Sequence, residues 1–330
     1  MVNKRVMHWS ALSVRCDIPA ECILVLSQKR SLIFKKQRFM RSNNGFVVAA
    51  AGFALLSCGD AVIKSMAGQW PVPAVAALRF ALAVPLLALV VAFKDGSSAF
   101  AVQKPWLQMC RGLALAASSV AFFLSLFAMP LAEATAIVFV SPVITALASA
   151  VFLKEPLHPK AWLASVLALV GVALVLRPNV AALGAVALLP LVAALFFSAM
   201  IILNRMAADT GRPMALQWAM VCVAAPVVLT GAIFGHFSGE PSLAVAWPDN
   251  SVIMRCAIVA VSASVAHWLI FQGTTRATAA NAAQAVYVQL PVALSIDALF
   301  FRHYPDIMAL TGAALIVGAG LSMWLHQRRV

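Results

Sequence analysis

Charged residues are scarce in this sequence, at 11% of 330 residues, whereas hydrophobic residues make up 63%. Soluble domains carry about 25% charged and about 45–50% apolar residues. A water-soluble chain of this length could not bury so much apolar surface. The shortage of charge therefore excludes a soluble globular protein and predicts a protein of the lipid bilayer.

Motifs that carry catalysis or bind metals are also missing. The sequence has no Walker sequence, HExxH, GxSxG or CxxC, and its six cysteines show no Cys/His ligand spacing. We therefore expect no enzyme, no metal site and no cofactor, and a gradient instead of ATP as the driving force. The stretch Ser57-Cys58-Gly59-Asp60 comes near the GxGD signature of intramembrane aspartyl proteases but lacks its first glycine. An intramembrane enzyme that uses Asp60 is the alternative.

Residues 1–44 differ in composition from everything that follows. They hold nine Lys or Arg residues against two acidic ones, and much of the net charge of +13 lies there. Their apolar run at 18–26 is too short to span a membrane, and no small-residue cleavage site follows it. We expect a disordered basic cytoplasmic tail, or a translation start upstream of Met40. A role in orienting the chain is sufficient explanation, so no nucleic-acid binding is predicted.

Ten apolar segments are each about long enough to cross a bilayer. They lie at 45–66, 72–93, 106–128, 131–153, 160–177, 182–204, 214–235, 252–273, 278–301 and 306–325. Cytoplasmic loops carry an excess of Lys and Arg, and this rule places both termini in the cytoplasm. The loops then assigned to the cytoplasm hold Lys94, Lys104, Lys154, Lys160, Arg205, Arg212 and Arg276.

One stretch of the chain occurs twice. Residues 132–176 match residues 281–325 at a constant offset of 149, which pairs Pro142 with Pro291. With an odd number of spans in each half, the two copies cross the membrane in opposite directions, as the inverted repeats of many transporters do. The predicted domains are a tail at 1–44, five-helix repeats at 45–178 and 179–326, and a cytoplasmic C-terminus at 327–330.

The first half of the chain also contains several short motifs. They are the Ala-Glu-Ala-Thr-Ala stretch at 132–136, Ser141-Pro142, the run 152–157 at the end of the fourth span, and Arg79-Phe80. Over about 45–326 the sequence resembles the EamA-type family of the drug/metabolite transporter superfamily. The resemblance implies ten helices in two inverted repeats and alternating-access transport of small metabolites. His303-Tyr304 stands where the first copy has Lys154-Glu155, a departure expected on the outer face.

Ionisable residues inside spans are costly, at about 2.5–3.5 kcal/mol each at a helix centre, so each needs a reason. Asp60 and Lys64 lie four apart on one helix face, where they can pair. Arg79, Glu133 and Thr135 lie in the second and fourth spans. One interpretation is a structural salt-bridge cluster. In the other, Arg79 with Lys64 clamps an anionic group, while Glu133 or Asp60 receives a cation or proton.

Polar and aromatic residues also mark the eighth and ninth spans. Asn281, Gln284 and Tyr287 are spaced three apart on one face, with Gln289 on another. The eighth span presents His267, Trp268 and Phe271 on one side, and histidine titrates near neutral pH. These residues either bind substrate or hold helices together, and His267 is either a proton relay or simply hydrogen-bonded.

Two further features concern prolines and one acidic residue. Pro142 and Pro291 are predicted in equivalent helix interiors, where a proline kinks the helix. Whether either kink is also a gating hinge stays open. Asp297 is expected to reach the membrane interface near the end of the ninth span.

These observations together predict a secondary transporter in the bacterial inner membrane. Its partners are the lipid bilayer and a small-molecule substrate, and the protein is a monomer or homodimer. Arg79 and Glu133 together fit an amino-acid-like zwitterion. Trp268, Phe271, Tyr287 and the amides fit a heteroaromatic vitamin or nucleoside such as riboflavin or S-adenosylmethionine.

Overall fold

Helices account for the regular secondary structure of the described part of this protein. The computed structural model describes residues 45–154, 159–176, 184–276, 285–302, 304 and 306–327, and no strand occurs among them. The prediction of an all-α protein is confirmed. The α-helices are α1 Gly45–Lys64, α2 Val72–Asp95, α3 Pro105–Ala128, α4 Leu131–Val138, α5 Ser141–Phe152, α6 Pro159–Leu176, α7 Leu189–Met206, α8 Pro213–Phe237, α9 Asn250–Arg276, α10 Gln289–Phe300 and α11 Ile307–Gln327.

Among the described residues, seven helical segments are long and apolar enough to cross a membrane. They are α1, α2, α3, α7, α8, α9 and the segment Leu131–Phe152, which joins α4 and α5. Shorter apolar helices cover Ser165–Leu174, Ala285–Phe300 and Leu310–Ala319. The chain is therefore a multi-pass membrane protein, as the composition predicted. Ten crossings stay a prediction.

Prolines set the starts of several of these helices. Proline stands at the first or second position of α3, α7 and α8. Its fixed φ suits a helix start, and the N–H that it lacks would have no partner there. The sixth span was predicted from residue 182, whereas α7 begins at Leu189 after a short 3-10 turn at Gly184–Leu188. Pro190 explains this later start.

The fourth span is broken. Helix α4 ends at Val138, Phe139 and Val140 form a turn, and Pro142 is the second residue of α5. Because Pro142 has no N–H, it cannot donate to the carbonyl of Val138, and the turn closes instead with shorter-range bonds. A kink was predicted inside one helix, and the structure has a break between two helices.

The described part of the ninth span begins with a turn. This 3-10 turn, at Ala285–Val288, precedes α10, in which Pro291 is the third residue. The turns of the fourth and ninth spans touch, since the rings of Phe139 and Tyr287 lie 5.5 Å apart at 73°. Helices α5 and α10 each have 12 residues and begin 148 positions apart, one fewer than the offset of the sequence repeat.

Helices from the first half of the chain pack mainly against helices from the second. Helix α2 packs against α8, α6 against α11, α3 against both α7 and α8, and α9 against α2. Small residues allow close approach, as is common between membrane helices. A Cβ added to Gly52 of α1 would lie 2.8 Å from the Ala266 carbonyl oxygen in α9, and one added to Gly112 of α3 would lie 2.4 Å from Cβ of Val223 in α8.

Candidate functional site

A cavity lies between the two halves, where α1, α2, α3, α4, α7, α9 and α10 meet. The empty space within it and at its opening amounts to about 540 Å³, a figure that includes open solvent. Its wall is formed by Leu56, Asp60, Arg79, Leu115, Ser118, Ser119, Phe122, Phe123, Thr135, Val138, Ala193, Phe197, His267 and Gln289.

Arg79 and Asp60 give the cavity wall opposite charges. Each side chain is only 4% exposed, and the two interact electrostatically. Arg79 donates from Nη2 to the Oγ atom of Ser119 at 3.4 Å, and its guanidinium carbon lies 4.3 Å from the ring centre of Phe80 and 4.9 Å from that of Phe123. The wall can therefore offer a guanidinium to an anionic group and a carboxylate to a cationic one.

Besides the serines of α3, three further polar side chains line the wall. Thr135 belongs to α4, His267 belongs to α9, and Gln289 is the first residue of α10. All three are buried. Ser57 of α1 donates to the carbonyl oxygen of Gln289 at 3.4 Å, which ties α1 to the start of α10. Of the predicted site residues, the structure thus brings together Asp60, Arg79, Thr135 and His267.

Two other predicted residues, Lys64 at the end of α1 and Glu133 in the first turn of α4, belong to a separate group, which we call the Lys64 cluster. It comprises Lys64, Glu133, Asp297 and the carbonyl of Met129. Lys64 donates to that carbonyl at 3.1 Å, lies 3.9 Å from Oδ1 of Asp297, and interacts electrostatically with Glu133. The expectation that Asp297 reaches the interface is wrong, since it is 2% exposed and accepts the N–H of Ala132 at 2.7 Å.

The predicted aromatic residues lie outside the cavity wall. Trp268 has Lys94 at 5.6 Å from its ring centre, Phe271 lies against Arg111, and Tyr287 packs on Phe139. Asn281 and Gln284 fall outside the residues that the structure describes. Their predicted contact with substrate stays a prediction.

Sequence reasoning missed much of the cavity and one buried cation. Three phenylalanines, Phe122, Phe123 and Phe197, line the wall, but phenylalanine is too common in membrane spans to stand out. Arg111 lies inside α3 and is fully buried. The rule that singled out Arg79, an ionisable residue within an apolar span, also applies to Arg111.

No arrangement for a metal or for carboxylate catalysis emerges from the described residues. They contain no group of three or more His, Cys, Asp or Glu side chains that could hold a metal ion. The two aspartates that an intramembrane protease would need have different partners. Asp60 lies in the cavity with Arg79, whereas Asp297 lies in the Lys64 cluster.

Comparisons with known proteins agree with this architecture. The model of the EamA-like transporter family matches residues 43–177 and 184–324. The riboflavin transporter of Rhizobium johnstonii is 26% identical over 235 residues, which cover 71% of this chain and 75% of that protein. A riboflavin transporter of Brucella anthropi is 24% identical over 80% of this chain and 94% of its own length.

Two other matches extend the comparison. The S-adenosylmethionine uptake transporter of Rickettsia bellii is 24% identical over 83% of this chain and 90% of its own length. A crystal structure superposes with a TM-score of 0.66 at 20% identity, over 87% of this chain and 98% of that one. This likeness concerns the fold alone.

Proposed function

The chain belongs to the EamA-like transporter family of the drug/metabolite transporter superfamily, and from that membership we propose that its cavity binds the transported substrate. The protein is a secondary transporter of a small metabolite. The observation that carries the proposal is the opposite charges of Arg79 and Asp60, which are both buried in the wall of the cavity between the two halves. Charged groups inside membrane spans typically mark a substrate or ion pathway.

We infer ten membrane crossings in two inverted five-helix repeats. Reciprocal contacts support this symmetry. Ser57 of α1 bonds to the first carbonyl of α10, and Ser198 of α7 bonds to the first carbonyl of α5, that of Ser141. Helices α5 and α10 also end alike, with Lys154 and Arg302 in the left-handed conformation just beyond them.

The distribution of basic residues supports the proposed orientation. With both termini in the cytoplasm, the Lys64 cluster lies toward the outer face and the start of α3 toward the cytoplasm. The bacterial relatives favour the inner membrane as its location. The cavity then lies between the two faces, where alternating access requires a site.

We propose that the substrate is a heteroaromatic metabolite of the vitamin or nucleoside class. Phe122, Phe123 and Phe197 provide apolar ring surface, while Arg79 and Asp60 provide polar anchors. Relatives named as riboflavin and S-adenosylmethionine transporters support the same class. An amino-acid-like zwitterion fits the charges of Arg79 and Asp60 but has no ring to contact the three phenylalanines. Asp60 is the proposed coupling residue, because it is the carboxylate of the wall.

Ligand-induced thermal stabilisation of the purified protein tests this site. A ligand that binds only the folded state stabilises it by mass action, so at about 100 times its Kd we expect riboflavin or S-adenosylmethionine to raise Tm by about 5 °C. Arg79→Gln and Asp60→Asn should lose the shift. Arg276→Gln, which removes an exposed arginine at the end of α9, should keep it.

Two results would contradict the proposal. One is a shift of equal size in Arg79→Gln, Asp60→Asn and wild type, which would place the ligand elsewhere. The other is no shift in wild type with either compound, which would remove the proposed substrate class.

A further inference from the structure

Arg111, a buried cation in α3, does not line the cavity. Its side chain is 0% exposed, and all of its hydrogen-bond partners are neutral. The Nε atom donates to Oδ1 of Asn204 at 2.8 Å, and Nη1 donates to the carbonyl of Leu216 at 3.0 Å and to Oε1 of Gln108. No carboxylate among the described side chains pairs with this guanidinium. A buried charge without a counter-charge is costly.

The polar atoms of Arg111 and Gln108 that lack a hydrogen-bond partner are all N–H donors. Among the described residues, Nη2 of Arg111 and Nε2 of Gln108 are buried without a hydrogen-bond partner. The neighbouring acceptor atoms, Oδ1 of Asn204 and Oε1 of Gln108, are already used. Two free N–H donors beside a positive charge suit an anionic oxygen, and the planar guanidinium matches carboxylate or phosphate.

Helix α3 shows where this group lies relative to the cavity. Arg111 is one helical turn before Leu115, which lines the cavity together with Ser118 and Ser119. The Lys64 cluster lies at the opposite end of α3, where Met129 is about 27 Å from Arg111 at about 1.5 Å per residue. The cavity therefore lies between the two.

Helix α9 shows the same arrangement. His267 lines the cavity, and Phe271, one turn further along, has its ring centre 5.2 Å from the guanidinium carbon of Arg111. Arg111 also acts electrostatically on His267. Alternating access requires the bundle to open at this end. When it opens, a substrate that enters or leaves the cavity next contacts Arg111 and Phe271.

We propose that Arg111 and Gln108 form a second anion-binding site, which takes a carboxylate or phosphate group when the transporter opens toward the start of α3. The inference rests on the proposed function and narrows its substrate class to metabolites that carry such a group, as S-adenosylmethionine does and riboflavin does not. A free inorganic anion has the same chemistry, and the experiments below separate the two sources.

Thermal unfolding with simple anions tests the site without knowledge of the substrate. Sodium phosphate or sodium acetate is compared with sodium chloride of equal ionic strength. We expect a rise in Tm of about 3 °C for wild type and for the control Arg276→Gln, and of less than about 1 °C for Arg111→Gln. No rise in wild type, or an equal rise in Arg111→Gln, would overturn the proposal.

Gln108→Glu provides a second test that does not remove the buried arginine. The new carboxylate would act as an internal anion for Arg111, so Tm without added anion should rise and the response to phosphate should disappear. A full phosphate response in Gln108→Glu would show that these donors do not bind the anion. This variant also decides the matter if Arg111→Gln fails to fold.

Uptake into liposomes identifies the source of the anion. S-adenosylmethionine is compared with its analogue that lacks the carboxylate, and wild type should prefer the carboxylate form by about tenfold, the equivalent of one charge-assisted bond. Loss of that preference in Arg111→Gln assigns the site to the substrate. An unchanged preference, with the phosphate response lost, assigns it to an inorganic anion.

Failure of the proposed function would look different from failure of this site. If neither riboflavin nor S-adenosylmethionine is transported while the phosphate response still requires Arg111, the proposed substrate class is wrong and the anion site stands. If uptake occurs and the phosphate response ignores Arg111, the transport assignment stands and the anion site is wrong.

Discussion

Two ion pairs in this protein have similar chemistry but very different surroundings. The Lys64–Asp297 pair spans 3.9 Å, and its side chains are 11% and 2% exposed. The Arg212–Asp95 pair is shorter, at 3.2 Å, but the Arg212 side chain is 60% exposed. Solvent screens the exposed pair, which leaves about 0–1 kcal/mol. Removing one partner of a buried pair costs about 3–5 kcal/mol, because the other charge stays buried.

We therefore predict unequal losses from two matched substitutions. Asp297→Ala removes the carboxylate that lies 3.9 Å from Lys64 and the acceptor of the Ala132 N–H. Because Glu133 still acts on Lys64, the variant should lower the free energy of unfolding by about 2–4 kcal/mol. Asp95→Ala should cost less than about 1 kcal/mol. Equilibrium unfolding of both variants in detergent measures the difference. A loss in Asp297→Ala no larger than that in Asp95→Ala would contradict this account.

At the residue scale, sequence reasoning found the charged part of the cavity but little of the apolar part. Arg79 and Asp60 stand out because an ionisable residue in an apolar span needs a compensating partner. Phe122 and Phe197 do not stand out, because only the packing of helices decides which apolar faces line a cavity. Trp268 was predicted to bind substrate but lies against Lys94, outside the cavity wall. The reason is the same, since only the packing of helices decides which faces line the cavity.

At the element scale, span positions could be predicted from hydrophobic length, but the breaks within spans could not. Pro142 and Pro291 were recognised as equivalent, and a kink was expected at each. At Pro142 the structure ends one helix and starts another, whereas Pro291 follows a 3-10 turn, and the two turns meet through Phe139 and Tyr287. That contact joins residues far apart in the sequence, so local reasoning could not anticipate it.

Glycines at the helix contacts offer a test of the packing. Gly52→Ala would place a methyl group 2.8 Å from the Ala266 carbonyl oxygen, a backbone atom that cannot move aside cheaply. Overpacking of this kind costs about 1–3 kcal/mol. Gly231→Ala, at a position with nothing within 4 Å, should be neutral or slightly stabilising because alanine favours helix.

Thermal unfolding in the same detergent measures both variants. We expect a lower Tm for Gly52→Ala and an unchanged or higher Tm for Gly231→Ala. Equal behaviour of the two would show that α1 and α9 do not approach each other as closely as the structure indicates.

At the scale of the whole molecule, the two halves form one cavity and the repeat in the sequence explains why. Each half contributes helices to the wall, and the serine contacts link each half to the other, Ser57 to the start of α10 and Ser198 to the start of α5. The fold class could be predicted from the apolar composition, which is typical of membrane helices. Transport could be predicted from the repeat, which is typical of transporters. Substrate identity could not, because it depends on side chains that only the folded chain brings together.

Flux through reconstituted protein tests the central claim, that this chain moves a small metabolite through the cavity around Arg79 and Asp60. Labelled riboflavin and S-adenosylmethionine are offered to liposomes that contain wild type, Arg79→Gln or Arg276→Gln, and to liposomes without protein. We predict saturable uptake of at least one compound by wild type and by Arg276→Gln, and a loss of about 100-fold in Arg79→Gln, which removes a charge-assisted bond and leaves Asp60 buried without its partner. Uptake by wild type no faster than through protein-free liposomes, or undiminished uptake by Arg79→Gln, would contradict the claim.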